Sequence, residues 1–352
     1  MQQLQAVKKV EKFKTKREVP TTMASKKQQK SEIPEGSYGT KQEKETSIQD
    51  LPGIGAATAE KLKLGGFDNL MSIAVATPGE IINVAGVTEA TARKAIKAAR
   101  DCLDMGFQSG IDLMQKREKV QKISTGSKNF NALLGGGVET GAITECFGPY
   151  GSGKTQLGHM LAVQTMLKDP DAVAVYIDTE NTFRPNRIKQ FAEALKQDPE
   201  KILKNVKVAR AFNSDHQMLL AEKAEELIKQ GLKVKLIVVD SLTAHFRAEF
   251  VGRGTLAERQ QKLNKHMHTL AKMADMYNLG VYVTNQVMAK PDMFFGDPTE
   301  AIGGHIVAHN STYRIYLRRG KKGTRVAKLV DAPDLADDEC VFMITEKGIE
   351  DA

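Results

Sequence analysis

The residues most clearly suited to chemistry form a glycine-rich run that ends in lysine and threonine. Residues 148–155 read GPYGSGKT and match the pattern G-x-x-x-x-G-K-[ST], with an apolar segment before them and a helical segment after them. In such a loop, backbone N–H groups face a phosphate chain and the following helix adds the positive end of its dipole. Lys154 would then reach the β- and γ-phosphates, and the Thr155 hydroxyl would occupy a position on Mg²⁺. The pattern and its flanks predict a nucleotide-binding P-loop rather than a merely flexible glycine-rich loop.

Acidic residues follow two other apolar runs. Asp240 ends the run 236–240 (LIVVD), and the second run, 172–178, is followed by Glu180. The carboxyl ends of the strands in an open α/β sheet form the edge where ligands bind. An aspartate in this place is often structural, but beside a P-loop we expect Asp240 to hold Mg²⁺. Hydrolysis also needs a group that orients or deprotonates water, and Glu180 is the better candidate because Asp178 lies within the strand.

The segments that must position these residues alternate between two patterns. Short apolar runs typical of buried strands are separated by amphipathic helical stretches, which predicts an α/β fold with a mostly parallel sheet. The last three runs follow one another without long helices and predict a final antiparallel segment. The expected strands are 142–147, 172–178, 206–211, 234–240, 281–285, 313–317, 325–330 and 341–344, and the expected helices are 155–167, 186–196, 215–230 and 256–277.

A small domain of short helices precedes this region, over residues 46–103. Its sequence LPGIG, at 51–55, fits a helix–hairpin–helix turn, in which Gly53 and Gly55 present N–H groups to a DNA phosphate. Residues 84–96 look like a degenerate second copy. Two tight turns that simply pack a small domain are the alternative, and we favour contact with double-stranded DNA.

Composition narrows the class of protein. The net charge is +8, which makes a polyanionic partner plausible without naming it. The three cysteines are far apart and suggest neither a disulfide framework nor a zinc module. Residues 1–45 are basic, contain few large apolar residues and are expected to be a disordered extension; a weak, nonspecific phosphate-binding arm is the alternative. With no apolar run of membrane-spanning length and no secretory signal, we expect a cytoplasmic, nucleoid-associated protein and no membrane partner.

An ordered set of motifs is similar to that of a known family. The chain closely resembles the archaeal RadA recombinases, which are related to bacterial RecA and to the eukaryotic strand-exchange recombinases. The resemblance covers about residues 48–352 and implies a RecA-like ATPase core behind a helix-hairpin-helix domain. The motifs that carry it are GPYGSGKTQ, DTENTFRPNRI, ARAFNSDHQ, LIVVDSLTAHFRAEFVGRGTLAERQQKL, VTNQV, FFGDPTEAIGGHIVAH and ITEKGIEDA.

The resemblance implies roles at the nucleotide. Glu180 corresponds to the family's catalytic glutamate, and Gln286 to the glutamine that senses the γ-phosphate and signals to the second DNA-binding loop. Arg187 corresponds to the arginine that packs on adenine. The implied catalytic residues are Glu180, Lys154 and Gln286; the metal ligands are Thr155 and Asp240; the ATP-binding residues are Gly148, Pro149, Tyr150, Gly151, Ser152, Gly153, Lys154, Thr155, Gln156, Arg187, His309, Asp331 and Pro333.

Two of those positions have further implications. His309 matches a family histidine near the γ-phosphate; the spacing of His305 and His309 also suits a metal pair, but no third ligand is evident. Asp331-Ala332-Pro333 resembles the cap that closes over a neighbouring subunit's ATP, so that Asp331 and Pro333 would act in trans.

The resemblance also assigns two DNA-binding loops. Residues 245–261 hold Arg247, Arg253 and Arg259, which suit a single-stranded backbone; a solvated loop and helix start is the plain alternative. Residues 287–303 read as a long loop with apolar residues at 288 and 293–295 that need either a neighbouring subunit or bases to cover them.

Assembly is implied by the connector, residues 104–122. Phe107-Gln108-Ser109-Gly110 occupies the place of the family's Phe-x-x-Ala tether, with Gly110 where alanine is usual. Phe107 would insert into a neighbour and build an open filament, or pack within its own chain. We therefore expect an ATP- and Mg²⁺-dependent strand-exchange recombinase that forms homo-oligomers on single-stranded DNA, with its ATPase core at 123–352. An assisting paralogue and a non-recombining RecA-fold ATPase remain as alternatives.

Overall fold

The computed structural model describes residues 48–52, 54–67, 69–103, 107, 109–289 and 299–352. The expected N-terminal extension, Gly53 and the apolar residues 293–295 lie outside these ranges. The chain divides into two compact units between Ala98 and Ala99, within one helix.

The first unit is helical, and its helices begin where the sequence provides caps. Thr77 and Glu80 form a reciprocal capping box at the third helix, which starts at Pro78. Leu62, Ile73 and Ile81 are completely buried and form its core. The elements are a 3₁₀ turn at Ile48–Asp50, α1 (Ala56–Leu64), α2 (Leu70–Ala74), α3 (Pro78–Ala85) and α4 (Glu89–Cys102), whose last residues belong to the second unit.

The second unit is built on a nine-stranded sheet in the order β13-β12-β11-β10-β3-β7-β6-β4-β5. Its strands are β3 (Ile143–Phe147), β4 (Val173–Asp178), β5 (Val206–Arg210), β6 (Val234–Asp240), β7 (Gly280–Asn285), β10 (Tyr313–Arg319), β11 (Arg325–Asp331), β12 (Glu339–Ile344) and β13 (Ile349–Asp351). Two small antiparallel pairs stand apart: β1 (Lys122–Ile123) with β2 (Val138–Glu139), and β8 (Val287–Ala289) with β9 (Thr299–Ala301).

Helices cross between the strands and cover the sheet. They are α5 (Gly110–Arg117), α6 (Lys128–Leu133), α7 (Lys154–Lys168), α8 (Pro185–Ala194), α9 (Pro199–Asn205), α10 (Ser214–Lys229), α11 (Ala244–Glu249), α12 (Leu256–Tyr277) and α13 (Gly304–Asn310), with 3₁₀ turns at Arg253–Thr255 and Lys321–Gly323. Two separate apolar clusters form around the sheet, one including α7 and α8 and the other including α10 and α12.

The sheet direction decides where the chemistry lies. Strands β5, β4, β6, β7, β3 and β10 are parallel, so their carboxyl ends share one edge, here called the carboxyl edge. Strands β11, β12 and β13 add to β10 in antiparallel fashion. The predicted α/β fold with a mostly parallel sheet and a final antiparallel segment is thus confirmed.

Two expectations about local structure were wrong, and one helix was missed. Most of residues 245–255 are not loop, because α11 and a 3₁₀ turn occupy them; α12 begins at Leu256, as the predicted helix 256–277 does. Residues 287–303 are not a single loop, because β8 and β9 pair at their two ends. A helix over 199–205, α9, was not expected. Among the described residues, no helix is long and apolar enough to cross a membrane.

Candidate active site

The P-loop connects β3 to α7 and lies at the carboxyl edge of the sheet. Gly148 has a φ of 157°, and a Cβ atom built there would lie 2.0 Å from the carbonyl oxygen of Leu317 on β10. Gly153 has a φ of 111° at the start of α7. Both positions therefore require glycine, which allows the backbone to turn tightly against the sheet and the helix to begin at Lys154.

Lys154 folds back over this loop. Its Nζ donates to the carbonyl oxygens of Gly148 at 2.8 Å and Pro149 at 3.0 Å, and it lies 3.4 Å from the Ser152 hydroxyl. Burial lowers the pKa of Lys154, and the charges of nearby groups, Asp240 and Glu180 among them, oppose this shift. A half-buried ammonium held by carbonyl dipoles is well placed for an anionic phosphate, which is a stronger partner.

Asp240 ends β6 beside this loop and accepts hydrogen bonds from three hydroxyl groups. Tyr176 donates to its Oδ2 at 2.8 Å and Thr284 to its Oδ1 at 2.5 Å, while Thr182 donates to Oδ2 at a longer 3.4 Å. Burial, followed by the charge of Asp240, raises the pKa of Tyr176 well above its ordinary value, so this hydroxyl remains a donor. The carboxylate is thereby fixed in orientation at the edge where a metal-bound nucleotide would lie.

The donor atoms fit Mg²⁺. The Asp240 carboxylate and the Thr155 hydroxyl at the start of α7 offer the oxygen ligands that this cation prefers. No cluster of three or more His, Cys, Asp or Glu side chains suited to a metal occurs among the described residues. Mg²⁺ in proteins is commonly bound by one or two side chains together with nucleotide phosphates, and Asp240 with Thr155 would suit that arrangement.

Glu180 and Gln286 meet at the same edge, although 106 positions separate them. Gln286 Nε2 donates to Glu180 Oε1 at 2.7 Å. Asp178 fixes the segment that carries Glu180, because its carboxylate accepts the backbone N–H groups of Glu180, Thr182 and Phe183 at 3.2, 3.0 and 3.1 Å. The exposed Glu180 carboxylate is thus tied to the residue that leads directly into β8.

The guanidinium N–H groups of Arg187 donate hydrogen bonds to acceptors within the chain. Its guanidinium donates to Gln156 Oε1 at 2.7 Å and Gln190 Oε1 at 2.9 Å, and to the carbonyl oxygens of Thr345 at 2.5 Å and Glu346 at 3.1 Å. One face lies over the Phe191 ring, 4.1 Å from its centroid. Burial lowers the pKa of Arg187. These bonds fix the plane of the group, as a stacking role requires.

The two expected DNA-binding segments come together at a cavity of about 200 Å³. Arg247 and Arg259 line it from α11 and α12, while Met288 and residues 300–304 line it from the β8–β9 pair and the segment that follows. Arg253 lies in the 3₁₀ turn between the two helices. The structure therefore brings arginines of the first segment beside both ends of the second.

Three further nucleotide candidates are exposed, and two of them lie away from the P-loop. Because β11 is antiparallel to β10, with Asp331 opposite Arg314, Asp331 and the following Pro333 lie at the amino edge of the sheet, opposite the P-loop. Both are exposed. His309 is exposed on α13, where its ring stacks on His305 with centroids 5.7 Å apart.

The assembly and helix–hairpin–helix candidates are also placed. Phe107 is fully exposed, and Gly110 is the first residue of α5, where Ser109 and Asp112 form a capping box. Gly55 caps α1, and its carbonyl oxygen accepts the N–H of Thr58 at 2.9 Å.

Sequence reasoning missed two groups around the nucleotide loop. Arg325 Nε donates to the carbonyl oxygen of Gly151 at 3.1 Å from the β10–β11 hairpin, whose residues 318–325 (RRGKKGTR) were a visible basic signal. His159 is buried on α7, where Nδ1 lies 2.8 Å from the carbonyl oxygen of Thr155 and Nε2 accepts the N–H of Arg184 at 3.2 Å. This histidine connects the P-loop helix to the segment after Glu180, and burial lowers its pKa.

Comparisons with known proteins agree with this arrangement. The Rad51 family profile matches residues 116–352, and the profile of the SAM-like helix-hairpin-helix tandem matches residues 45–101. The chain is 53% identical over 319 residues to the DNA repair and recombination protein RadA of Methanococcus voltae, covering 87% of this chain and 99% of that protein. The match to RadA confirms the resemblance seen in the motifs. The chain belongs to the Rad51 family.

Proposed function

We propose that this protein is an ATP-dependent DNA strand-exchange recombinase that forms filaments on single-stranded DNA and promotes homologous pairing in recombinational repair. The observation that carries the proposal is the hydrogen bond between Glu180 and Gln286. It joins a carboxylate beside the P-loop to the first residue of the segment that returns, through β8 and β9, to the arginine-lined cavity. The relative in Methanococcus voltae, named a DNA repair and recombination protein, supports the same reading.

At the nucleotide, the residues divide the work of ATP hydrolysis. The P-loop, from Gly148 to Gln156, and Lys154 hold the phosphates, through the backbone N–H groups of every loop residue except Pro149 and through the Lys154 ammonium. Arg187 stacks on the adenine with its free face. Asp240 and Thr155 hold Mg²⁺, which neutralises developing charge when it is bound. Glu180 orients and deprotonates the attacking water, and Gln286 senses the γ-phosphate through its contact with Glu180.

DNA contacts would come from both units. Arg247, Arg253 and Arg259 would bind the backbone of single-stranded DNA by charge and guanidinium packing. The turn with Gly53 and Gly55 would contact a phosphate of double-stranded DNA. We place the domain limits at 46–103 and 123–352, with 104–122 as a connector, and the site of action at the nucleoid in the cytoplasm.

Two surfaces of the chain support the proposal that it assembles. Fully exposed Phe107 needs a cover, and the edge strand β5 borders an apolar cavity of about 270 Å³ formed with α10. We propose that a neighbour's Phe107 segment docks there. Asp331 and Pro333 lie at the opposite edge from the P-loop, so they would close over the ATP of an adjacent copy, as would His309.

Strand exchange tests the proposal directly. A circular single strand and a homologous linear duplex are incubated with the protein and Mg²⁺, with ATP, with ADP or without nucleotide. We expect joint molecules with ATP alone. DNA-stimulated ATP hydrolysis without joint molecules would contradict strand exchange and favour an assisting paralogue or another DNA-dependent motor.

Replacing the proposed catalytic base separates hydrolysis from binding. Glu180→Gln keeps the contact with Gln286 possible but removes the base, so we expect ATP turnover to fall by at least about 100-fold. ATP-dependent binding to single-stranded DNA should remain. Loss of that binding in a folded variant would contradict the role of Glu180, and Glu193→Gln, an exposed change on α8, serves as the control.

A further inference from the structure

Asn285 is a buried polar residue whose carboxamide has a partner at every side. It ends β7, immediately before Gln286, and its side chain is inaccessible to solvent. Its Oδ1 accepts the Thr243 hydroxyl at 2.7 Å and the Gln286 N–H at 2.9 Å. Its Nδ2 donates to Glu145 Oε1 at 2.7 Å and to the carbonyl oxygen of Ile302 at 2.6 Å. Both donors and both acceptor positions are used, and their partners permit one orientation of the amide.

The four partners belong to different functional parts of the chain. Thr243 immediately precedes α11, the helix that carries Arg247 to the DNA-facing cavity. Ile302 follows β9, at the far end of the second DNA-binding segment. Gln286 contacts Glu180 and begins the near end of the same segment. The Asn285 carboxamide thus contacts Thr243 at the start of the first DNA-binding segment, Ile302 at the end of the second, and the backbone of Gln286, the proposed nucleotide sensor.

The fourth partner anchors this junction in the core. Glu145 is completely buried on β3, and its second carboxylate oxygen accepts Arg314 Nε of β10 at 2.7 Å. An ion pair in this setting is costly to break, because one charge would remain buried without a partner. The Asn285 side chain is therefore held against a fixed point, and a displacement of Gln286 is passed to Thr243 and Ile302 rather than absorbed.

We propose that Asn285 and Thr243 are positioning residues through which nucleotide contact at Gln286 sets the first DNA-binding segment, α11, together with the second. This inference rests on the proposed function, since it presupposes nucleotide-dependent DNA binding. Both residues are buried, with Asn285 0% and Thr243 2% exposed, so we assign them a positioning role and not a direct contact with nucleotide or DNA. The Thr243 hydroxyl is the side-chain contact that connects Asn285 to the start of α11. It can be removed without leaving Asn285 Oδ1 short of a donor, because the Gln286 N–H still donates to it.

The full-length chain offers a matched pair of substitutions for the test. Thr243→Val removes the hydroxyl at nearly constant volume from a residue that is 2% exposed. Thr144→Val makes the same change at a residue that is 1% exposed on β3, whose hydroxyl has no hydrogen-bond partner among the described atoms. Thr243→Ser restores the hydroxyl and serves as the rescue.

The readout is the affinity for a poly-dT oligonucleotide with a non-hydrolysable ATP analogue, divided by the affinity with ADP, both with Mg²⁺. We expect Thr243→Val to lower this ratio by about fivefold, the equivalent of about 1 kcal/mol, the usual net worth of one hydrogen bond. ATP turnover without DNA should stay within about twofold of the wild type. Thr144→Val and Thr243→Ser should keep the wild-type ratio.

The outcomes separate this inference from the proposed function. If the wild type shows no difference between the two nucleotides, the proposed function itself fails. If the wild type shows the difference and folded Thr243→Val retains it, the junction is refuted while the function stands. Should Thr243→Val not fold, amide hydrogen exchange of the wild type over 243–250, with the ATP analogue and with ADP in the absence of DNA, decides instead: equal exchange would overturn the inference.

Discussion

Replacing Tyr176 by phenylalanine tests how the carboxylate at the end of β6 is held. Tyr176 is completely buried, and its hydroxyl donates to Asp240 Oδ2 at 2.8 Å. Tyr282 is a matched control, because it is equally buried and donates to a neutral acceptor, the carbonyl oxygen of Lys154, at 2.9 Å. The two substitutions remove the same atom from equally buried positions. The acceptor is charged at Tyr176 and neutral at Tyr282, whose hydroxyl also contacts the neutral Cys146 thiol.

The expected magnitudes follow from that difference. A hydrogen bond to a charged group contributes about 1.5–3 kcal/mol and a neutral one about 0.5–1.5 kcal/mol. Tyr176→Phe leaves Asp240 with fewer donors, so we expect the free energy of unfolding to fall by about 2 kcal/mol. Tyr282→Phe leaves the Lys154 carbonyl oxygen with its helical partner, so we expect a loss of about 1 kcal/mol or less.

Urea unfolding measures both losses. The chain contains no tryptophan, so far-UV circular dichroism follows the transition better than intrinsic fluorescence. All samples are compared at one protein concentration without nucleotide, because assembly or ligand would shift the apparent stability. The slope of the free energy of unfolding against urea concentration should be unchanged, while the urea concentration at the midpoint falls. A loss for Tyr282→Phe equal to or greater than that for Tyr176→Phe would refute the charge-assisted role.

Two further predictions concern glycine and histidine. Gly148→Ala places a Cβ atom 2.0 Å from the carbonyl oxygen of Leu317 and should abolish binding of a fluorescent ATP analogue. The control Gly79→Ala, with no atom within 4 Å of the added Cβ, should bind the analogue normally. Tight binding by Gly148→Ala would contradict the steric argument. Burial lowers the pKa of His266 to about 4, so the histidine resists protonation in the fold but not in the unfolded chain, and stability should fall by about 3 kcal/mol as the pH drops from about 6.5 to about 4. His266→Leu should flatten that part of the urea-midpoint profile, and an unchanged profile would show that this histidine does not contribute.

The sequence predicted the central strands well because their chemistry is local. The run 234–240 became β6 without change, since four consecutive apolar residues before an aspartate suit a strand buried on both faces. The α11 helix was missed because its ends depend on distant partners: Glu249 accepts hydrogen bonds from the Ser214 backbone and hydroxyl, and His245 lies 3.1 Å from the carbonyl oxygen of Ala211.

The same limit applies within the site. A P-loop motif predicts where phosphates bind, because the glycines and the lysine act through the backbone geometry of one short segment. The surroundings of Arg187 were not predictable in this way, since two of its acceptors are carbonyl oxygens of Thr345 and Glu346, in the turn between β12 and β13. Contacts set by tertiary packing leave no pattern in the residues beside them.

Asp331 and the P-loop lie at opposite edges of one sheet, which limits the number of complete ATP sites in an assembly. If each ATP is completed by the next copy, a linear assembly of N subunits holds N − 1 complete sites, and one terminal subunit always keeps an uncovered nucleotide. Turnover per subunit would then rise with assembly length, and the two ends would differ in how readily they lose ATP. Such an assembly has a chemical direction before it meets any DNA.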